Sequence, residues 1–338
     1  MNNRIFYLDI IRILACVMIV TMHAPIPNTG LSSYVLATDS LLTAPGIGLF
    51  VMVSGTLLLP INMTTSMFLK KRIGKIVFPT LFWTLFYLLV SGYDYGLEEI
   101  NILRVLLSIP FSHQYGILWF MYMLAGLYLL APILSPWLKQ TGKRELEFYL
   151  ILWAITMCYS YIRDFIGVNE GHTGILYYFG GYVGYFLLGY YLRTYVKAWA
   201  IGKSIILLLI PLSIATILKI LQVPVHFYDS FWYLSILVAM MSVAWFLLIK
   251  RMWGDMMYNN ISQLHHVITL VSNCCFGIYF VHIFIMRSII WGWTWLYDWG
   301  IMQIFMVTIL TFLGSLVVTY LISFLPCAEY IIGFRQKR

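Results

Sequence analysis

Residues 8–23 read LDIIRILACVMIVTMH. The run is apolar on every side, so it lacks the polar face that a helix on a water-soluble globule would carry. It is long enough, with its flanks, to cross a hydrocarbon core, which takes about 20 mostly apolar residues. Asp9, Arg12 and His23 interrupt it. Two charges inside the apolar run and the Met-His-Ala-Pro ending do not fit a cleavable leader, so the segment is expected to stay as a span.

The rest of the chain repeats the theme. Of its 338 residues, 62% are hydrophobic and only 10% are charged, with a mean hydropathy of +0.86. Soluble domains carry roughly a quarter charged residues, so a soluble globule is excluded, as are disordered and collagen-like chains. The 20-residue ruler gives ten spans, at roughly 5–24, 41–60, 74–92, 117–137, 148–166, 174–192, 204–222, 230–249, 267–290 and 301–325. The expected fold is all-α, a polytopic bundle of about ten transmembrane helices. One integral-membrane domain fills 1–338, with no appended soluble domain and no repeat of fixed period.

The net charge of +8 is distributed unevenly. With the N-terminus inside, 17 of the 21 Lys and Arg fall on the cytoplasmic side. Arg104, Arg163, Lys219 and Arg287 alone fall outside. Lys/Arg bias in loops sets topology, so both termini are expected in the cytoplasm. The bias also accounts for the positive charge without nucleic acid, which would need a basic face on a recognisable module. The cysteines, Cys16, Cys158, Cys274, Cys275 and Cys327, lie within or at the edges of spans with no metal-binding spacing. They read as small apolar packers, and no metal is expected.

Ionisable residues inside spans are costly and therefore functional candidates. Asp9 and Arg12 are three residues apart and share a helical face. Arg12 and His23 are eleven apart, about three turns and roughly 16 Å of rise, so both look into one groove. The plain alternative is an interfacial Asp–Arg anchor with His23 idle at the far interface. In the segment 68–83, FLKKRIGKIVFPTLFW, Lys70, Lys71, Arg72 and Lys75 open the third span and Pro79 breaks it one turn further in. Positive-inside charges and a kink explain this; so does a phosphate clamp, with Arg72 and Lys75 projecting together and Lys71 beside them.

The glycine-rich GIGLFVMVSG at 46–55 suits close helix packing or, through Ser54, a polar lining. His282, in NCCFGIYFVH, lies at a depth matching His23, so the two histidines fit one site; a hydrogen-bonded packing histidine is the alternative. Trp119 and Tyr122, in HQYGILWFMYMLAGLYLLAP at 113–132, are an interfacial aromatic belt or a platform for a sugar ring. His113, His172 and His226 fall in outer loops, and His265 and His266 in an inner loop, as solvated residues.

Taken in order, LDIIRILACVMIVTMH, GIGLFVMVSG, KKRIGKIVFP, LWFMYMLAGLYLLAP and FGIYFVH resemble the membrane acyltransferase-3 family across essentially the whole chain. The nearest subgroup is similar to short bacterial polysaccharide O-acetyltransferases, such as that for enterobacterial common antigen, which lack an extracytoplasmic hydrolase-like domain. Two positions depart from the family pattern: Phe50 lacks a second aromatic and Thr56 follows Ser54-Gly55, and an Arg-x-x-Arg pair appears as Arg72 and Lys75. The resemblance implies a multi-pass protein of the bacterial inner membrane. It implies acetyl transfer from cytosolic acetyl-CoA, as co-substrate, to a sugar hydroxyl of a lipid-linked or surface glycan. His23 would then be the general base, with Arg12 and Asp9 beside it. Arg72, Lys75 and Lys71 would meet the CoA phosphates, and His282, Ser54, Trp119 and Tyr122 are further site candidates. Ten helices with buried charge also fit a transporter or flippase for a glycan or small anion, although two related halves with interrupted helices are not evident.

Overall fold

The computed structural model describes residues 4–27, 39–91, 116–159, 161, 179–221, 231–254 and 263–336, and all regular structure among them is helical. In chain order the helices are α1 (Phe6–Met22), α2 (Pro45–Leu58), α3 (Thr65–Arg72), α4 (Gly74–Ser91), α5 (Trp119–Gln140) and α6 (Lys143–Thr156). They continue with α7 (Val183–Thr194), α8 (Ile201–Ile220), α9 (Ile236–Trp253), α10 (Gln263–Ser288), α11 (Met302–Ile322) and α12 (Ala328–Ile332). Among the described residues, seven helices are long and apolar enough to cross a membrane. They cover the second to fourth and the seventh to tenth expected spans. The first span holds α1, of 17 residues. The fifth and sixth hold α6 and α7, of 14 and 12 residues, and residues 160, 162–166 and 174–178 of those two spans lie outside the described residues.

Burial sorts the helices. Nearly all of α2 is buried, as is most of α1, so these two form the centre. Helix α7 packs on α2, α10 packs on α1 and α11, and α8 packs on α9. On α11 the polarity is inside out: Phe305, Ile309, Leu313, Val317 and Leu321 face outward at four-residue spacing, while Thr308, Thr311, Ser315 and Thr319 are buried. In lipid the apolar face needs no protein partner, and small hydroxyl residues let helices approach. Helix α8 likewise exposes Ile205, Ile206, Leu209 and Ile210.

The glycines of the second span are used for that approach. A Cβ on Gly55 would collide with the carbonyl of Phe186, and one on Gly189 with that of Met52. Thr56 Oγ1 donates to the Gly189 carbonyl at 2.8 Å, and Arg193 Nη1 to the Thr56 carbonyl at 2.7 Å. Helices α2 and α7 thus cross backbone against backbone.

The basic helix ends assigned to one side gather at one end of the bundle. Arg4, Arg12, Arg72, Lys75 and residues 332–334 line one cavity. Lys250 Nζ donates to the carbonyls of Leu192 and Val196 at 2.8 and 2.7 Å. The ends assigned to the opposite side also meet: Gln303 Nε2 donates to the Pro25 carbonyl at 3.1 Å, and Tyr233 Oη to Met22 Sδ at 2.9 Å.

Three expectations change. The break near the cationic run is at Ile73, between α3 and α4, and α4 runs through Pro79. Proline removes one donor, and a span tolerates that where neighbouring groups compensate. His265 and His266 belong to the first turn of α10, not to a loop, and His265 is buried against the Phe6 ring at 4.5 Å. Cys16, Cys274 and Cys275 are buried as packers, but Cys327 is exposed. The loop histidines His113, His172 and His226 lie outside the described residues.

The α2–α7 crossing predicts that Gly189→Ala lowers stability by roughly 1–3 kcal/mol through overpacking. Gly202→Ala, where an added Cβ meets nothing within 4 Å, is neutral or slightly stabilising. Thermal unfolding of the purified variants checks this; equal midpoints would contradict the close crossing.

Candidate active site

The cavity at the basic end has a volume of about 650 Å³, within the range of sites that enclose a small organic ligand. Helices α1, α2, α3, α4, α5 and α10, the end of α12 and the two residues after it contribute its walls. Its charged lining among the described residues is Arg4, Asp9, Arg12, Arg72 and Lys75. Four cations against one carboxylate make it a receptor for anions.

Asp9 sits at the centre of this charge. Its side chain is 4% exposed. Arg4 grips it with two donors, Nε at 2.5 Å from Oδ2 and Nη2 at 3.0 Å from Oδ1. Ser272 Oγ donates to Oδ1 at 2.7 Å. Arg12 Nη1 stands 3.4 Å from Oδ1 and donates to Ser272 Oγ at 2.9 Å. The i,i+3 pair expected from sequence is therefore present, but the tighter partner of Asp9 is Arg4, and Ser272 of α10 bridges carboxylate and Arg12. Arg12 remains only partly neutralised, at the cavity wall. Arg72 also lines the cavity, and its buried Nε has no hydrogen-bond partner among the described residues. Lys75 joins it one turn along. Lys71 is exposed and does not line the cavity.

Ser54, from the glycine-rich segment, lines the cavity and neighbours Tyr128, which also feels the charges of Arg72 and Arg12. The inner end is closed by Phe50, Phe120 and Tyr279. Phe120 packs at a tilt against Phe50 and Tyr279, with ring centroids 6.0 and 5.4 Å away. The Tyr279 hydroxyl donates to the carbonyl of Ile117.

Behind that wall lie the two histidines. His23 caps the C-terminal end of α1, and His282 is fully buried on α10. Their rings are 5.1 Å apart. His23 Nδ1 is 2.8 Å from the Ile19 carbonyl, and His282 Nδ1 is 2.6 Å from the Tyr279 carbonyl. A carbonyl only accepts, so in each ring Nδ1 carries the hydrogen and Nε2 keeps its lone pair. His282 Nε2 is buried with no partner among the described residues. Neither histidine lines the cavity; Tyr279, three residues before His282, is the link.

Trp119 belongs to an aromatic group on the far side, 5.3 Å from Tyr233 and 5.6 Å from Tyr182. Tyr233 reaches Met22, next to His23. Tyr122, one helical turn from Trp119 on α5, is half-buried. Among the described residues no group of three or more His, Cys, Asp or Glu is arranged to hold a metal ion.

Sequence reading missed Arg4, Ser272, Tyr128 and Tyr279. Tyr279 carried a signal, since it stands three residues before His282 and so on its face of the helix. Ser272 carried none, because its partner is 263 positions away.

Buried charge at one end of an all-helical bundle, beside a cavity lined by four cations and one carboxylate, defines a polytopic membrane protein with an electropositive chamber. The model of a family described as acyltransferase domain, the acyltransferase-3 family, matches residues 5–326. The chain belongs to that family and is a membrane acyltransferase. No curated protein and no solved structure matches it.

The Asp9 network predicts that Asp9→Ala leaves two guanidinium groups facing each other without a counter-ion and costs about 3 kcal/mol. Arg4→Ala, which leaves Arg12 and Ser272 on the carboxylate, costs less. Thermal unfolding in detergent checks the order; a milder loss for Asp9→Ala than for Arg4→Ala would contradict it.

Proposed function

We propose that this protein O-acetylates a polysaccharide, transferring acetyl from cytosolic acetyl-CoA to a hydroxyl of a cell-surface or lipid-linked glycan in the bacterial inner membrane. The observation that carries the reading is the pair of histidines, each with Nδ1–H held by a backbone carbonyl and Nε2 left as a base. His23 is the general base. As the sugar hydroxyl attacks the thioester carbonyl, its proton passes to His23 Nε2. The tetrahedral intermediate then expels the CoA thiolate, which takes that proton back from His23 and leaves as thiol, restoring the neutral imidazole.

The cationic cavity suits the donor. CoA brings a diphosphate and a further phosphate, and Arg12, Arg72 and Lys75 supply three cations on one wall, Arg72 with a free Nε donor. Arg is well matched to phosphate oxygens because its planar donors bind in pairs, whereas Lys75 acts as a point charge. Ser54 and Tyr128 add neutral donors. The span from Arg12 to His23, roughly 16 Å, is comparable to an extended pantetheine arm. That arm displaces the Phe50–Phe120–Tyr279 wall to reach His23. On the far side, Trp119, Tyr182 and Tyr233 offer ring faces to a sugar beside His23, with Tyr122 half-buried nearby.

The test is transfer of labelled acetyl from acetyl-CoA to a glycan acceptor by purified protein. His23→Ala folds but loses about 10²- to 10⁴-fold in rate, the usual worth of a positioned general base. Near-normal turnover would remove His23 from that role. Movement of glycan across the membrane without label transfer would instead favour a transporter. Arg72→Ala raises the acetyl-CoA dissociation constant about tenfold or more, the scale of one lost charge-assisted contact; an unchanged constant would contradict the clamp.

A further inference from the structure

A second cavity, of about 890 Å³, adjoins the first and shares Lys75, Gly333 and Phe334 with it. Its other lining residues are Phe324, Pro326, Glu329, Arg335 and Gln336. It is built largely by the C-terminal segment, which is firmly seated. Trp83 Nε1 donates to the Ile331 carbonyl at 2.8 Å, and Gln336 N donates to the Ser323 carbonyl at 2.9 Å. Ala328 and Ile332 are fully buried.

Gly333 fixes the junction. Its φ of +68° is left-handed, where only glycine is comfortable. An added Cβ would also press on the Phe276 ring at 2.8 Å and approach the Lys75 carbonyl at 3.4 Å. The reversal at Gly333 turns Phe334 into the lining of both cavities and delivers Arg335 to the second one. The segment therefore carries a cation and an aromatic ring to the mouth of the anion-receptive chamber.

We propose that this second cavity binds the 3′-phosphorylated adenosine end of the acyl donor, with Arg335 and Lys75 on the 3′-phosphate. Phe334 and Phe324 offer faces to the purine, and the Glu329 carboxylate accepts from its exocyclic amine. Lys75, common to both cavities, spans the diphosphate and the 3′-phosphate. This rests on the acetyl-CoA reading above. It divides the donor between two chambers: nucleotide outside, pantetheine arm inside.

An anionic lipid headgroup carries the same phosphate chemistry, so the experiment separates the two sources. Binding of CoA and of 3′-dephospho-CoA is measured by calorimetry on the full chain in nanodiscs of zwitterionic lipid. The wild type binds CoA about tenfold more tightly than dephospho-CoA. Arg335→Ala removes most of that ratio by weakening CoA alone, and Arg335→Lys restores part of it. An unaltered ratio in Arg335→Ala, with CoA still bound, overturns the subsite while leaving the acetyl-CoA reading intact. So does a ratio that stays while binding of added anionic lipid falls, which would assign the cavity to a headgroup. Failure of the wild type to bind either nucleotide overturns the donor reading and the subsite together.

Discussion

A single carboxylate inside the bundle organises the rest of this structure. An ionised group removed from water is stabilised only where donors replace its hydration, and breaking such an arrangement leaves an uncompensated charge. Asp9 meets that demand with two donors from Arg4, one from Ser272 and the charge of Arg12. The consequence is positional. Arg4 also donates to the Thr269 carbonyl at 3.3 Å, so the start of α1 is stitched to α10 at two places. Because one carboxylate is shared by two guanidinium groups, a surplus of positive charge stays on the cavity wall. The network thus fixes the central helix pair and leaves Arg12 receptive to an anion at the same time.

The other end of those two helices has a different logic. Backbone carbonyls order two imidazole rings there. A helix carbonyl near each ring selects the tautomer, since Ile19 and Tyr279 are one turn back from His23 and His282 on their own helices. The same α1–α10 pairing that is pinned by Asp9 brings the two rings to 5.1 Å.

How much of this was legible in the sequence follows from the range of each interaction. The all-helical membrane fold and the places of its helices were readable because bilayer thickness imposes itself on composition locally. Asp9 with Arg12 was readable because both lie on one helix. The approach of His23 to His282 was suggested by equal depth, a one-dimensional measure that survives without a fold. Arg4 escaped because it precedes the apolar run and looks like an ordinary basic flank. Ser272 and Tyr128 escaped because serine and tyrosine are common in spans, and only the fold shows which ones face charge. The break at Ile73 was misplaced at Pro79 because proline is the stronger local signal, whereas packing of α12 on α4 decides how that segment runs.

The cavity and the histidines do not share a lining, and Tyr279 lies between them in the chain of contacts. Phe50, Phe120 and Tyr279 are aromatic members of the cavity lining, and Tyr279 is itself tied to the Ile117 carbonyl just before α5. Its neighbour on the helix, His282, is held through the Tyr279 carbonyl. Any movement of α10 that lets a slender chain past the Tyr279 ring also moves the carbonyl that orients His282. One residue, Tyr279, thus both lines the cavity with its ring and orients His282 with its carbonyl.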